Sequence, residues 1–431
     1  MRSDDDVALD VDFAKTKIVP DKTEQRSPTR EEPRQTPPLS RAIMLLFAVA
    51  SGLAVANAYF AHPMLDVMAD DLGLSHAHAG LIVGATQVGY GLGLILLVPI
   101  GDLVDRRRLV IAQSLLSVIA LIAIGFASSG NMLLVAMALM GLLAVVTQAF
   151  VAYAASLAPP AERGHIVGVV TSGIVLGILL ARTVAGTLTD LSGWRTVYLV
   201  SAAATLIIVA LLWQALPRQE TRPATMSYPR LIGSLFGLLV TEPALLIRGI
   251  ICMLIFANIT TLLTPLVLPL SAPPFSLSHT AIGLFGLAGV AGALGATRAG
   301  RWTDRGLGQR TTGISLALML LAWWPISLLP HSILWLVLGV IVIDFGLQAV
   351  HVTNQAMIYR VRPDAQSRLT AGYMVFYSIG SALGSSMSTL AYAHASWFGV
   401  CLLGAGISGL ALAFWGLTLR AMPANATKAL F

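Results

Sequence analysis

Asp344, Gln348, His351 and Gln355 recur at i, i+4, i+7 and i+11, which puts them on one face of a helix. A carboxyl, an imidazole and two amides in one stripe can bind and release a proton and hydrogen-bond a polar solute. Asn354 flanks the stripe, and the run around it, residues 332–358, is otherwise almost wholly apolar. Asp344 is the only acidic residue deep inside any such run. The proton affinity of a carboxyl in that setting depends on its access to water and on its charged neighbours, which is what proton coupling requires. Arg182 is the second unexpected charge, 17 residues into the apolar run that starts at residue 165. At that depth a cation faces a partner or a watery cavity, unless its stem snorkels to the nearer interface. Asp344, Arg182 and His351 are therefore the proton-coupling candidates.

Enzymatic chemistry is not expected. No Gly-x-Ser-x-Gly nucleophile turn and no His-Glu-x-x-His zinc site occurs. A phosphate-binding Gly-x-x-x-x-Gly-Lys loop is excluded, because no lysine lies between Lys22 and Lys428. The two cysteines, Cys252 and Cys401, lie in apolar runs and imply neither a disulfide nor a thiolate metal site. No cofactor is expected beyond a proton gradient.

The elements that must hold these residues follow from composition. Of 431 residues, 56% are hydrophobic and 11% charged, with a mean hydropathy of +0.79. So few charges cannot cover a soluble protein of this length, so lipid is the solvent for most of it. Twelve apolar runs follow Arg41, at 42–66, 78–99, 109–128, 131–157, 165–189, 194–216, 243–269, 280–299, 311–329, 332–358, 369–392 and 396–419. Each can cross a hydrocarbon core of about 30 Å. In hydrocarbon the backbone must satisfy its own hydrogen bonds, so these spans are helices. The expected fold is an all-α integral membrane protein with 12 transmembrane helices.

Of the 19 Lys and Arg residues after Arg41, 16 fall in segments on the side of the termini. The opposite face has only Arg195, while Arg182 and Arg248 lie within spans. This bias places both termini in the cytoplasm. The net charge of +6 thus reflects topology and is no sign of nucleic-acid binding. Residues 1–40 are polar, Pro-rich and of mixed charge, as expected of a disordered cytoplasmic tail, and residues 421–431 form a second tail.

The spans fall into two related sets. Gly101-Asp102-Leu103-Val104-Asp105-Arg106-Arg107-Arg108, between spans 2 and 3, returns in eroded form as Gly300-Arg301-Trp302-Thr303-Asp304-Arg305-Gly306, between spans 8 and 9, 199 residues later. Ala56-Asn57 matches Ala257-Asn258 at an offset of 201, and Pro160, Gly177 and Trp194 match Pro363, Gly380 and Trp397 at 203. Two pseudo-symmetric six-helix bundles, 41–216 and 243–420, are therefore expected, joined by a polar cytoplasmic linker at 217–242. In such parallel repeats the substrate cavity lies at the interface of the halves, near the midplane.

On these residues the chain resembles a major facilitator superfamily transporter from residue 41 to 420. Within the superfamily it resembles the drug:proton antiporter-1 group, in particular the arabinose-efflux-permease-like branch. Gly101, Asp105 and Arg106 match the superfamily's signature loop, while Arg107 stands where that loop usually has a glycine. With Gly300, Asp304 and Arg305 they form the expected gating motif, in which guanidiniums bridge Asp105 to a neighbouring helix or to the other half. Such a network favours the state closed to the cytoplasm and breaks when that side opens; topological anchoring is the simpler role for the remaining arginines.

The antiporter group also resembles span 5, where Gly164, Gly173 and Gly177 keep the group's spacing. Ile178 replaces its proline, and Ala181-Arg182 replaces its final glycine pair. Gly173, Gly177 and Ala181 make a small-residue stripe suited to close helix packing. Spans 1, 4, 7 and 10 line the cavity in the resembled fold, which makes Asn57, Tyr59, Gln148, Asn258, Gln348 and Gln355 the substrate-cavity candidates, with His62 beside them. Many relatives carry a proton-transferring arginine in span 4 where this chain has Met137, so Asp344 and Arg182 are the expected replacement.

The expected function is secondary active export of a small drug-like molecule, sugar or metabolite by proton antiport across the bacterial inner membrane. Alternatives are a symporter or uniporter importing a sugar or organic acid, and a non-transporting membrane sensor. The expected partners are the solute, protons and lipid, and the chain is expected to act as a monomer.

Overall fold

The computed structural model describes residues 40–159, 162–216, 227–361 and 366–419, and its elements are all helical. The two tails, the first part of the linker and the Pro160–Pro363 pair lie outside the described residues. The side chain of Asp304 does too.

Span 1 is α1 (Arg41–Ala56), which passes through a turn and a short 3-10 segment into α2 (Leu65–Asp71). Spans 2 and 3 are α3 (Gly80–Leu96) and α4 (Arg106–Gly125). Span 4 is two consecutive pieces, α5 (Gly130–Ala144) and α6 (Val146–Leu157). Spans 5 and 6 are α7 (Arg163–Ser192) and α8 (Trp194–Ala215). Within the linker, α9 (Tyr228–Thr241) buries Leu235 and Leu238 and exposes Pro229, Phe236 and Val240. Span 7 is α10 (Pro243–Leu263) with α11 (Val267–Ser271), and span 8 is α12 (His279–Gly283) with α13 (Gly289–Asp304). Spans 9 and 10 are α14 (Gly308–Ser327) and α15 (Ile333–Val361). Spans 11 and 12 form α16 (Gln366–Thr418), broken by non-helical backbone at Ala395 and Ser396.

Lipid explains the outer surface. Leu45, Ile119, Val135, Ile207, Leu321, Phe398 and Leu402 are each more than half exposed. A surface this apolar would associate in water, and it matches a hydrocarbon surround. Hydrophobic contrast cannot then hold the helices together, so close packing must.

The repeat recurs in that packing. A methyl group on Gly177 would collide with the backbone of Gly52, and one on Gly380 would collide with the backbone of Met253. Gly52 and Met253 are 201 residues apart, so the α1–α7 crossing of the first half is rebuilt as the α10–α16 crossing of the second. Trp194 and Trp397, both buried, open spans 6 and 12. Each follows a residue with positive φ, Gly193 at 84° and Ser396 at 49°.

The halves meet along two seams. In one, α3 packs on α16, with Gly80 against Ser385 and Thr389, and Gly91 against Ser378. In the other, α7 packs on span 8, with Gly186 against the backbone of His279 and Gly283 against that of Arg182. The second seam closes the side opposite the Gly101–Arg108 loop. On the loop side, Gly164 and Gly168 near the start of α7 have no neighbouring atom within 4 Å of an added methyl.

Candidate substrate and proton site

Aromatic rings from both halves gather midway along the helices. The hydroxyl of Tyr59, in the turn after α1, lies 2.7 Å from that of Tyr377 in α16. Phe256 of α10 packs edge-on against Tyr377 with centroids 4.3 Å apart, and Tyr90 of α3 approaches the same ring at 6.0 Å. Gln148 of α6 is within hydrogen-bonding reach of Tyr90. His62 stacks on Tyr59 at 6.0 Å.

Arg182 enters this group from α7, its guanidinium 5.8 Å over the Tyr59 ring. A cation over an aromatic face is attracted by the ring quadrupole, more so where water is excluded. Its Nε is buried without a hydrogen-bond partner. The structure brings Arg182 and Asp344 together on two glycines of span 8. A methyl on Gly286 would come within 3.2 Å of Arg182 Cβ and Cδ, and one on Gly289 within 3.2 Å of Asp344 Oδ2. Both charged side chains thus lie against span 8, yet among the described residues no direct ion pair joins them. In a low-dielectric site the attraction between opposite charges extends beyond hydrogen-bonding distance. Arg182 is thus turned into the interface rather than snorkelling outward.

The rest of the α15 stripe continues away from that pair. Gln348 packs with Asp344 around Gly292. The His351 ring meets Phe256 edge-on at 5.2 Å, and its Nδ1 lies 3.1 Å from the Tyr373 hydroxyl. Asn354 Nδ2 donates to the same hydroxyl at 3.4 Å. Gln355 is half-buried one turn beyond His351.

Two cavity candidates face elsewhere. Asn57 accepts a 2.5 Å hydrogen bond from Ser201 Oγ of α8, and Asn258 donates to Gly404 O at 2.9 Å and to Ser408 Oγ of α16. Each amide fastens span 1 or 7 to span 6 or 12 of its own half. A buried amide seeks hydrogen-bond partners, and both find them on a neighbouring helix of the same half, although Oδ1 of Asn258 is left without one. The two residues thus make equivalent packing contacts in the two halves.

The loop motif is also built differently from expectation. Asp105 caps α4, accepting from the backbone N–H of Arg107 at 2.7 Å and of Arg108 at 3.4 Å. Arg106 Nη1 donates to Ala152 O at 2.9 Å, and Arg107 Nη2 donates to Trp213 O at 2.5 Å, with its guanidinium over the Trp213 ring. These bonds tie the loop to α6 and α8 of the same half. A methyl on Gly101 would make only ordinary contact with Leu109, and one on Gly300 would barely reach Val352, so close approach does not explain either glycine. In the second copy Arg301 and Arg305 are exposed. In α7 the small-residue stripe does pack: Gly173 lies on Ala48, Gly177 on Gly52, and Ala181 is buried.

A polar cluster missed from the sequence closes the opposite side. His279, the first residue of α12, reaches Asp190 of α7 through Nδ1 at 2.8 Å and Asp66 of α2 through Nε2 at 3.3 Å. The backbone N–H groups of His279 and Thr280 and the Thr280 hydroxyl also donate to Asp190, at 3.1, 2.8 and 2.6 Å. Both carboxylates belong to the first half and the imidazole to the second. The bond to Asp66, reinforced by Asp190, holds His279 above the ordinary imidazole pKa although burial works against it. Polar residues at span ends are commonplace, so nothing in their types announced this contact. The aromatic partners Tyr90, Phe256 and Tyr377 were equally silent, since tyrosine and phenylalanine abound in membrane helices.

The comparisons with known proteins agree with this architecture. An uncharacterized transporter of Escherichia coli O157:H7, YgaY, is 46% identical over 377 residues, covering 88% of this chain and 95% of its own. A bacterial homolog of the human lysosomal transporter Spinster, solved in an inward-facing and occupied conformation, superposes with a TM-score of 0.74 at 13% identity, covering 89% of this chain and 97% of that one. The peptide transporter POT in complex with sulfate superposes at 0.68 with 16% identity, covering 89% and 94%. The family model of the Major Facilitator Superfamily matches residues 46–305 and 262–430. A twelve-helix chain of two repeated halves, with a polar cluster between them, is a membrane transporter and belongs to the Major Facilitator Superfamily.

Proposed function

We propose that this transporter exports a small amphiphilic solute from the cytoplasm in exchange for protons, by alternating access across the bacterial inner membrane. The reading rests above all on Arg182 and Asp344, which come from different halves and lie one turn apart on the glycines of span 8 without a direct ion pair. A proton on Asp344 removes its attraction for Arg182, and a cationic or hydrogen-bonding solute group competes for the same carboxylate. Antiport requires that mutual exclusion of proton and solute. Tyr59, Tyr90, Phe256 and Tyr377 supply apolar faces for the rest of the solute, as ligand sites of this size usually do. The glycine register of α7 and the resemblance to drug:proton antiporters support export.

The orientation follows from the basic loops, which put both termini in the cytoplasm. The Asp66–His279–Asp190 contact then closes the periplasmic side, and the conformation is inward-facing. The chain acts as a monomer, with its gating loop held to its own half in this state.

Transport into inverted membrane vesicles under an imposed pH gradient tests the proposal. Wild type accumulates solute when the vesicle interior is acidified, and Asp344→Asn loses the gradient dependence while still binding solute. Full gradient dependence in Asp344→Asn would remove Asp344 from coupling. Uptake that requires the opposite gradient would replace export by symport.

A further inference from the structure

The linker between the halves, expected to be polar throughout, carries a helix whose outer face is apolar. α9 runs from Tyr228 to Thr241, and Arg230 is its only charged residue. Pro229, Gly233, Phe236, Gly237 and Val240 are exposed, at spacings of three and four that make one stripe. Phe236 is 49% exposed and Val240 85%. A methyl group added to Gly233 or Gly237 would meet nothing within 4 Å, so the stripe is open.

Water is the wrong solvent for such a face. A solvated helix turns charged and polar side chains outward, whereas a helix that is apolar all round needs an apolar surround. The inner face of α9 is apolar too, with Leu235 and Leu238 buried. Yet α9 cannot cross a bilayer. Its 14 residues reach about 21 Å, short of a hydrocarbon core of about 30 Å.

The neighbours of α9 fix its level. The Tyr228 hydroxyl donates to the carbonyl of Leu96, the last residue of α3, at 2.7 Å. Leu238 joins a buried cluster with Leu245 of α10 and with Leu369 and Tyr373 of α16, and Leu239 lies over Gly372. Leu96, Leu245 and Leu369 are at the ends of spans 2, 7 and 11 on the side of the Gly101–Arg108 loop. α9 therefore lies where three spans leave the hydrocarbon, and it touches both halves. Only Glu242 separates it from α10, where Leu246, on the first turn, is already 42% exposed on the lipid-facing belt. The open stripe is thus continuous along the chain with the lipid-facing surface.

We propose that α9 lies in the surface of the bilayer on the side of the basic loops, with Phe236 and Val240 among the acyl chains. A helix placed this way buries its apolar face about 5–10 Å into the boundary between headgroups and acyl chains. Arg230, exposed at the start of the helix, has a stem long enough to carry its charge out to the headgroups.

The test uses the full chain reconstituted in vesicles of phosphatidylethanolamine and phosphatidylglycerol, with a nitroxide attached at Phe236→Cys or at Val240→Cys. Cys252 and Cys401 are buried, which keeps background labelling low. Collision with dissolved oxygen, which concentrates among acyl chains, is compared with collision with a water-soluble nickel chelate. Oxygen should dominate at both positions, as at Leu246→Cys, while Arg305→Cys in a basic loop should favour the chelate. A chelate preference at both positions would put the stripe in water and overturn the proposal. Poor access to both probes with spin–spin broadening would make the occupant a second copy of this chain. Poor access without broadening would make it another segment of the same chain, and either result overturns the lipid assignment. If the two positions disagree, or if the label at Phe236 disturbs folding, Val240 decides, because its side chain is the more exposed.

Discussion

Tyr59 and Tyr377 share a 2.7 Å hydroxyl contact across the boundary between the two halves. One ring hangs from the turn that follows α1 and the other from α16, so any motion that parts the halves at this level must break it. A hydrogen bond present in one state and absent in the other biases the equilibrium between them. Tyr377→Phe keeps both rings and removes one hydroxyl. We expect transport to change about 2- to 10-fold, from the net ~0.5–1.5 kcal/mol of one hydrogen bond, with the thermal midpoint nearly unchanged. Parallel losses of folding and transport would reduce the pair to a structural contact.

Arg182 and Asp344 predict a coupling energy. If each matters through the other, Arg182→Gln and Asp344→Asn will not add. Solute affinity measured for wild type, both single variants and the double variant should show a non-additive term of about 0.5–3 kcal/mol, as residues sharing one electrostatic network do. Additive losses would mean that the two charges serve separate tasks.

The contact at His279 predicts a dependence on external pH. The protonated imidazole donates to Asp66 and Asp190 together, so its closing effect is complete below the ordinary imidazole pKa. Because the bonds to these carboxylates raise the His279 pKa, the effect persists above the ordinary value and is lost as pH rises through the raised one. A cysteine placed at Gln348 reports opening to that side, against a low background because Cys252 and Cys401 are both buried. Labelling by an impermeant reagent should increase with pH in wild type. In His279→Gln it should be high and flat; an unchanged pH profile would exclude His279 as the titrating group.

Much of the fold was legible because lipid imposes a simple rule: a long apolar run must be a helix. The repeat was legible for a similar reason, since Gly177 and Gly380 each permit one backbone to touch another and no larger residue can stand there. Asp344 and Arg182 stood out because a charge within a span is costly and so needs a purpose. Residue type could not reveal direction around the helix. Asn57 and Asn258 carry the same polar signal as Gln348, yet they turn to α8 and α16 behind them. Nor could it reveal partners from distant spans, which is why Tyr377 and His279 entered only with the structure. Asp105 shows a third limit. Its carboxylate is satisfied locally as a helix cap, an arrangement as compatible with the sequence as the bridge between helices that the motif suggested.

The two repeats also predict a stabilising substitution. Gly193 precedes Trp194, and Ser396 precedes Trp397, at the same point of each half. Gly193 has φ 84° and ψ 162°, a region that glycine enters freely. Ser396 has φ 49° and ψ −151°, where its Cβ crowds the backbone at a cost of about 1–3 kcal/mol. The first half has the residue that its turn requires, and the second half has the same turn without it. Ser396→Gly should therefore raise the thermal midpoint by a few degrees, partly offset by the greater freedom of glycine in the unfolded chain. Gly193→Ser should lower it. Transport should be nearly unchanged in Ser396→Gly, because the turn lies at the end of spans 11 and 12, remote from Asp344 and Tyr377. A destabilised Ser396→Gly would show that the hydroxyl or the strain itself holds spans 11 and 12 in place.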